Sequence, residues 1–145
     1  MELSELLQRL NNLKRTPRTG WISCNIPLGL VEDVAQHSFE VTSLTLLLCI
    51  ELENRGRRID RGKALSMAVL HDWPETMTGD LPRSATDYLE KNVKEKIERK
   101  AMENILAGIL GGRELTNLWE EYLEKKTDEA KIVYIADRFS MLVQA

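Results

Sequence analysis

Hydrophobic residues along this chain recur at intervals of three and four, which is the spacing of one face of an α-helix. Near the N-terminus the pattern comprises Leu6, Leu7, Leu10 and Leu13, and near the C-terminus it comprises Ile132, Ile135, Ala136, Phe139 and Leu142. No stretch shows the convincing hydrophobic–polar alternation of a half-buried strand. The pattern predicts an all-α fold, a bundle of about six to seven helices in a single domain over residues 1–145.

Proline, glycine and capping residues divide this pattern into segments. The predicted helices cover, in order, about residues 4–13, 32–54, 61–73, 87–110, 114–125 and 128 onward. Asp60 is placed to cap the third helix, and Thr127 or Asp128 is placed to cap the last one. Because Pro74 strains a helix interior, we expect the third helix to end or bend near Trp73.

Three further segments complete the organisation. Residues 15–30, RTPRTGWISCNIPLGL, have no helical period and predict a long irregular connection, a kind of segment that is often functional. The charge run EKNVKEKIERK at 90–100 predicts a solvated helix face with opposite charges one turn apart. The apolar pattern is still running at Ala145 without a stop signal, which leaves a native C-terminal extension open.

Composition and charge exclude several classes of protein. Hydrophobic residues make up 43% of the chain, charged residues 30%, and the net charge is −3, which argues against broad, nonspecific nucleic-acid binding but not against one small anionic ligand held by a few arginines. Cys24 and Cys49 show no metal-binding or redox spacing and predict reduced thiols in a cytoplasmic protein. The N-terminus is no signal peptide, and the longest apolar run, LTLLLCI, is too short to span a bilayer. We therefore expect neither a nucleic-acid nor a membrane partner.

The candidate chemistry centres on a histidine–aspartate dipeptide. His71 and Asp72 project about 100° apart on a helix and can both reach one point beside it. The only other histidine, His37, lies on another predicted helix, and Asp137 interrupts the apolar stripe of the last helix. Imidazole nitrogens and carboxylates together suit a divalent metal ion. The residues alone leave open that each histidine is an ordinary core residue and that Asp137 pairs with Arg138 or another cation.

The motif H…HD…D resembles that of the HD-domain phosphohydrolases, an all-helical, metal-dependent superfamily. Four stretches are similar to its 5′-deoxynucleotidase branch: PRTGW at 17–21, VEDVAQHSFEV at 31–41, HDWPETMTGDLP at 71–82 and EAKIVYIADRFSMLVQA at 129–145. The resemblance implies one divalent ion, Mn²⁺, Co²⁺ or similar, with His37, His71, Asp72 and Asp137 as ligands. Four protein ligands leave positions open for water and phosphate on a six-coordinate ion.

The resemblance also implies roles at the substrate. Glu75 and Asp72 match catalytic positions, and Glu75 would orient the attacking water or move a proton. Arg18 would bind phosphate, Trp21 would pack against sugar or base, and Asp80 would accept a hydrogen bond from the deoxyribose 3′-hydroxyl. Many relatives have the arginine and tryptophan adjacent, whereas here two residues intervene. Without the resemblance, Glu75 is best explained as a solvated carboxylate and Asp80 as a turn residue.

The predicted activity is hydrolysis of deoxyribonucleoside 5′-monophosphates, a small-molecule nucleotide substrate. The alternatives are a triphosphate or pyrophosphate hydrolase, for which the chain offers only the basic segment 55–63, and a nucleotide-binding module without turnover. Gln36, beside His37, is a candidate hydrogen-bond partner for that ligand. A homo-oligomer, as a dimer, is expected from the resemblance and from apolar positions expected to be exposed, among them Leu118, Trp119 and Tyr122.

Overall fold

The computed structural model describes residues 2–145, and every regular secondary-structure element over these residues is a helix. The α-helices are α1 (Leu3–Leu10), α2 (Thr19–Ser23), α3 (Val34–Asn54), α4 (Arg61–Leu70), α5 (Glu75–Thr78), α6 (Arg83–Thr86), α7 (Val93–Leu106), α8 (Gly112–Glu124) and α9 (Asp128–Gln144), with 3₁₀ turns at Asn11–Arg15 and Leu28–Leu30. The described residues form no strand, only an isolated antiparallel bridge between Pro17 and Asp33. The predicted all-α class is confirmed.

The helices outnumber the six or seven that the sequence pattern predicts because three very short ones lie in predicted connections. These are α2, α5 and α6, with five, four and four residues. The expected break near Trp73 is present, since α4 ends at Leu70 and α5 begins immediately after Pro74. Asp60 and Thr127 cap α4 and α9 by accepting hydrogen bonds from Lys63 N and Ala130 N.

The predicted long helix from about Asp87 is wrong at both ends. Its counterpart, α7, begins only at Val93, because Asn92 adopts a left-handed conformation with φ 69°. It ends at Leu106, where a turn with Gly108 at φ 75° follows. Gly112 begins α8 instead of ending α7, and a Cβ there would lie 2.6 Å from the Leu106 carbonyl oxygen. The close backbone approach therefore requires glycine at 112.

The described residues divide into two compact units. The first comprises the chain up to Gln36 together with Asp72–Gly112, and the second comprises His37–His71 with Arg113–Ala145. The chain passes from the second unit to the first at the peptide bond between His71 and Asp72. The single domain that length and composition suggest stays a prediction.

The second unit has a hydrophobic core made by α3, α4, α8 and α9. Its buried members are Val41, Met67, Ala68, Tyr122, Ala130, Val133 and Ala136, and a smaller cluster contains Cys49, Ala64 and Ile132. Trp119 and Tyr122 were expected to be exposed, and this is wrong: their exposed fractions are 1% and 8%. Both side chains lie on the face of α8 that packs into this core, so they are unavailable to a partner chain.

The first unit packs α5 against α7 and against the 3₁₀ turn at Asn11–Arg15. Leu6, Leu13, Met102 and Ile105 are among its buried side chains. Thr76 Oγ1 ties α5 to the N-terminal segment by donating a hydrogen bond to the Arg9 carbonyl oxygen. The four-residue α5 is therefore fixed by its neighbours, because so short a helix has little stability of its own.

None of the described helices has an apolar stretch long enough to cross a lipid bilayer. Both cysteines are free, Cys24 exposed and Cys49 fully buried on α3. Burial raises the pKa of the Cys49 thiol, which disfavours the reactive thiolate.

Candidate metal and nucleotide site

Within the second unit, α3 and α9 bring His37 and Asp137 into direct contact. His37 Nε2 lies 3.0 Å from Asp137 Oδ1, although the two residues are 100 positions apart in sequence. The His37 side chain is completely buried, and the Asp137 side chain is 20% exposed. The aspartate that interrupts the apolar stripe of α9 therefore has a histidine beside it, as a carboxylate on a core-facing stripe requires.

His71, at the C-terminal end of α4, lies near the same place. Its ring centroid is 5.6 Å from that of His37, and the Tyr122 ring packs edge-on against it at 5.9 Å. His71 Nδ1 lies 2.7 Å from the carbonyl oxygen of Ala68. Because a carbonyl oxygen only accepts, the neutral His71 ring carries its proton on Nδ1 and has a lone pair on Nε2. This is the tautomer that a metal ligand needs.

The backbone at the dipeptide is fixed from α8. The indole Nε1–H of Trp119 donates a hydrogen bond of 3.2 Å to the carbonyl oxygen of His71. Trp119 is among the largest fully buried side chains, so its position is set by close packing. Trp119, whose burial the sequence pattern did not indicate, thus binds the peptide group that joins His71 to Asp72.

These residues are a chemically suitable donor set for a divalent ion. The second unit contributes His37, His71 and Asp137, one from each of three helical segments. Asp72, bonded to His71 in the chain, adds a further carboxylate, so the dipeptide supplies the His–Asp pairing from which a metal ion could be held. Imidazole nitrogen with carboxylate oxygen suits borderline divalent metals.

Within the first unit, Arg18 lies among acidic side chains. Its Nη1 is 3.5 Å from Asp80 Oδ1 and 3.9 Å from Asp72 Oδ2. Asp80 is also held by Thr19, whose backbone N–H donates to Asp80 Oδ2 at 2.6 Å and whose hydroxyl donates to the Asp80 carbonyl oxygen at 2.9 Å. Thr19, one of the two residues that separate Arg18 from Trp21, therefore attaches the PRTGW segment to the turn after Gly79.

Glu75 is buried at the start of α5, with 6% of its surface exposed. Burial, and then the neighbouring carboxylates of Asp72 and Asp80, raise the pKa of Glu75 to about 10, against the opposing effect of Arg18 and Lys94. Its Oε2 has no hydrogen-bond partner within residues 2–145. The alternative that Glu75 is a solvated carboxylate is therefore wrong.

Lys94 and Glu98, on α7, were predicted to belong to a solvated face. Lys94 Nζ lies 3.4 Å from Glu98 Oε1, and the Glu98 side chain is only 14% exposed. Burial acts to lower the pKa of Lys94, but the charges of Glu98, Glu75 and Asp72 together raise it. Lys94 is therefore a cation that faces the carboxylates of the first unit, which no pattern in the charge run distinguished.

Trp21 makes a contact that the sequence did not indicate. Its Nε1–H donates to Glu32 Oε1 at 3.4 Å, and Glu32 is a buried residue. The backbone N–H of Arg18 donates to the Glu32 carbonyl oxygen at 3.0 Å. Glu32 thus orients the connection that carries both Arg18 and Trp21, and the polar edge of the indole is engaged within the protein.

Gln36 does not act as the partner of His37 that we expected. Its backbone N–H donates to Asp33 Oδ1 at 2.8 Å, and its side-chain oxygen accepts from Asp33 N at 2.9 Å. This reciprocal pair is a capping box at the N-terminus of α3. The second ring nitrogen of His37 instead lies 3.2 Å from the hydroxyl oxygen of Ser140, a buried residue that sequence reasoning missed.

Comparison with known proteins gives a consistent result. A family model described as HD domain matches residues 10–145. The chain is 32% identical to the 5′-deoxynucleotidase HDDC2 of Dictyostelium discoideum over 97% of this chain and 74% of that protein, and 30% identical to the human protein of the same name over 99% and 66%. A conserved hypothetical protein of known structure from Pyrococcus furiosus matches with a TM-score of 0.85 and 41% identity, covering 97% of this chain and 76% of that one.

Proposed function

This chain belongs to the HD-domain family, a family of metal-dependent phosphohydrolases, and on that premise we propose that it hydrolyses deoxyribonucleoside 5′-monophosphates. Water attacks phosphorus, the bond from phosphorus to the 5′-oxygen breaks, and the products are a deoxynucleoside and inorganic phosphate. The relatives named 5′-deoxynucleotidase support this substrate class for the present chain.

One observation carries the proposal: His37 and Asp137, far apart in sequence, meet at 3.0 Å with the His71 ring next to them. We propose that His37, His71, Asp72 and Asp137 are the ligands of one divalent ion, Mn²⁺ or Co²⁺. The lone pair on His71 Nε2, assigned from the bond to Ala68, supports this donor set. When bound, such an ion lowers the pKa of a bound water and offsets charge on a phosphoryl oxygen.

We assign the proton chemistry to Glu75, with Asp72 beside it. A buried carboxyl whose pKa is raised can hold a proton at neutral pH or give it up when a cation comes near, which suits general acid–base work. Glu75 would orient the attacking water or move a proton between water and the leaving 5′-oxygen. Its burial favours this role, because a carboxyl group shielded from bulk water exchanges protons mainly with the substrate and the water molecules bound in the site.

Two cations are placed to bind the phosphate group. Arg18 lies 3.5 Å and 3.9 Å from carboxylate oxygens. Both distances are long for a charged hydrogen bond, so a phosphate group could replace these contacts with shorter ones. Lys94 keeps 43% of its side chain exposed while Glu98 holds its amine from one side, so further donors remain for a ligand. We propose that both contact phosphoryl oxygens and together offset the negative charge that the phosphate would meet from Asp72, Glu75 and Asp80.

In this proposal, Asp80 and Trp21 bind the deoxyribose and the base. Asp80 is held by Thr19 and Arg18, and a carboxylate fixed in this way can accept a hydrogen bond from a 3′-hydroxyl. The indole of Trp21 already donates to Glu32, so it would contribute its ring face to the sugar or base.

The triphosphate and pyrophosphate alternative needs additional cations, and the basic segment 55–63 does not supply them freely. Arg55 pairs with Glu51 at 2.6 Å, and Arg57 pairs with Asp128 at 2.9 Å. Lys63 pairs with Glu121 at 2.5 Å. These ion pairs lie within the second unit and engage three of the segment's cations with protein carboxylates.

A substrate screen tests the proposal. Phosphate release would be measured from the common deoxy- and ribonucleoside mono- and triphosphates with Mn²⁺, with Co²⁺ and with EDTA. We expect turnover of deoxynucleoside monophosphates that EDTA abolishes. A nucleotide-binding module would bind dAMP without releasing phosphate, and a triphosphate hydrolase would prefer dATP to dAMP.

The assembly and the cellular location are further predictions. We propose a cytoplasmic homodimer whose interface uses apolar side chains other than the buried Trp119 and Tyr122. Exposed apolar residues on the second unit include Phe39, Leu47, Phe139 and Leu142. Light scattering after size-exclusion chromatography would give twice the monomer mass of 16.6 kDa if the chain forms a dimer.

A further inference from the structure

We propose that Ser140 is a positioning residue that allows His37 to present Nε2 to a divalent cation. The inference concerns the metal site and rests on the proposed function only in so far as His37 is a metal ligand. Ser140 lies on α9, three residues after Asp137, and its exposed fraction is 0%. Its hydroxyl is therefore confined to partners within the protein.

The hydroxyl of Ser140 lies between two groups that compete for it. Ser140 Oγ is 2.8 Å from the main-chain carbonyl oxygen of Asp137 and 3.2 Å from His37 Nδ1. A hydroxyl has one hydrogen to donate and can accept on its oxygen. It can donate to the carbonyl oxygen or to the histidine nitrogen, but not to both at once.

Each choice selects a different tautomer of His37. If Ser140 donates to the Asp137 carbonyl oxygen, its oxygen accepts from Nδ1–H, and His37 Nε2 keeps a lone pair. If Ser140 donates to His37 Nδ1, the ring proton sits on Nε2 and points at Asp137 Oδ1, 3.0 Å away. Only the first arrangement suits a cation, because a protonated Nε2 cannot coordinate.

A cation therefore selects the arrangement in which Ser140 accepts from His37. The proton of the neutral ring then lies on Nδ1, and rotation of the hydroxyl accommodates it without a change in net charge. His71 needs no rotatable hydroxyl group, since its Nδ1–H already donates to the carbonyl oxygen of Ala68. The two histidines thus reach the same tautomer by different means, one through the backbone and the other through a rotatable side chain.

Histidine NMR tests the tautomer directly, because the chain has only two histidines. Ring ¹⁵N shifts of the full chain would be recorded without metal and with Zn²⁺, a diamagnetic probe. With Zn²⁺ bound, we expect the Nδ1–H tautomer for both rings in the wild type. In Ser140→Ala we expect the His37 signals to change while the His71 signals stay. Unchanged His37 signals in Ser140→Ala, or Nε2–H at His37 in the Zn²⁺-loaded wild type, would overturn the proposal.

Metal affinity provides the second readout, measured by calorimetry with Mn²⁺. Removing such a ligand's hydrogen-bond partner typically weakens metal binding about 10–100-fold, and we expect this range for Ser140→Ala. Ser43→Ala is the matched control, because within residues 2–145 the Ser43 hydroxyl bonds only to the Phe39 carbonyl oxygen on an exposed face.

The outcomes separate this inference from the proposed function. Equal Mn²⁺ affinity of Ser140→Ala and the wild type would overturn the role of Ser140 and leave the nucleotidase proposal intact. A wild type that neither binds Mn²⁺ nor releases phosphate from dAMP would contradict both. Weakened Mn²⁺ binding in Ser140→Ala with wild-type urea unfolding would support Ser140 even if dAMP is not the substrate.

Discussion

Glu75 is the residue at which the structure departs most clearly from what its sequence position alone indicates. As the first residue of a four-residue helix it would ordinarily be solvated, yet it is 6% exposed and lies near Asp72 and Asp80. A carboxyl is rarely buried among other carboxyls for stability, since burial and like charge both disfavour its ionised form. The cost is understandable if the residue serves the reaction.

Glu75→Gln tests that role. The amide keeps the shape of the side chain but cannot move a proton, and general acid–base catalysis typically contributes about 10²–10⁴-fold. We expect kcat on dAMP to fall by about two orders of magnitude or more, while Mn²⁺ affinity stays close to that of the wild type. Glu90→Gln, at an exposed position, is the control and should leave kcat unchanged. Full activity of Glu75→Gln would remove Glu75 from the chemistry.

The raised pKa of Glu75 also predicts how the stability of the metal-free protein depends on pH. The pKa is about 10 in the folded chain against a reference of 4.5, so between these values the folded state holds a proton that the unfolded state has lost. The contribution of Glu75 to stability should therefore be greatest below the lower value and decrease as pH rises between the two values, by at most about 1.4 kcal/mol per pH unit for one proton.

Urea unfolding in EDTA at several pH values measures this dependence. We expect the free energy of unfolding of the wild type to fall more steeply with rising pH than that of Glu75→Gln, which has no proton to lose at this position. Parallel pH dependences for the two proteins would show that the Glu75 carboxyl is ionised in the folded state.

Helix α7 contributes the cation Lys94, whose position near the carboxylates could not be predicted from the sequence. Lys94 and Glu98 belong to a run of alternating charges, and helical periodicity cannot tell which members face solvent and which face another helix. Only the packing of α5 against α7 makes the distinction. Lys94 thereby approaches Glu75, while Lys96, two residues further along α7, is exposed.

Lys94→Met tests this contribution and retains much of the aliphatic length. If Lys94 binds a phosphoryl oxygen, the variant should show a KM for dAMP and an inhibition constant for inorganic phosphate that are both raised, by roughly 10-fold for one charged hydrogen bond. Inhibition by deoxyadenosine, which has no phosphate, should stay unchanged. Lys96→Met is the control on the same helix, and equal effects of the two substitutions would contradict a specific role for Lys94.

Helix α8 contacts the backbone of His71 through Trp119. Trp119→Phe keeps an aromatic ring in the core but removes the donor to the His71 carbonyl oxygen and part of the buried volume. We expect a loss of unfolding free energy of about 1–3 kcal/mol, measured by urea denaturation in EDTA. A loss no larger than that of Trp73→Phe, at a partly exposed position, would mean that the hydrogen bond contributes little.

The accuracy with which the sequence predicts secondary structure differs between elements. The long periodic segments that became α3 and α9 were predicted correctly, because an apolar stripe that packs into a core is visible in sequence. The extent of α7 was not, since its start depends on a left-handed Asn92 and its end on a turn with Gly108 at positive φ. The short α2, α5 and α6 have no period to detect and are set by tertiary contacts.

The candidate site divides in a similar way. His37, His71, Asp72 and Asp137 could be named because their residue types are unusual at their positions and match a family motif. Ser140, Thr19 and Glu32 could not, since a small hydroxyl residue or an acidic residue before a helix is common in any sequence. Their roles arise only from contacts across long stretches of chain, such as the 103 positions that separate Ser140 from His37.

At the scale of the whole molecule, the chain distributes its chemistry over two compact units. The second unit holds both histidines, Asp137 and Ser140, and the first holds Arg18, Glu75, Asp80 and Lys94. The peptide bond between His71 and Asp72 joins them, so the dipeptide that characterises the family is also a point at which the chain passes between units. The family and the all-α class are confirmed, and the individual residue roles stay predictions.

Titration of the metal-stripped full chain with Mn²⁺, with phosphate release from dAMP measured at each addition, tests the central claim most directly. The account predicts no turnover without metal and a rise to a plateau as about one ion binds per chain. His71→Ala, lacking a ligand, should need far more Mn²⁺ or stay inactive. Undiminished phosphate release from the stripped protein in EDTA would contradict the account.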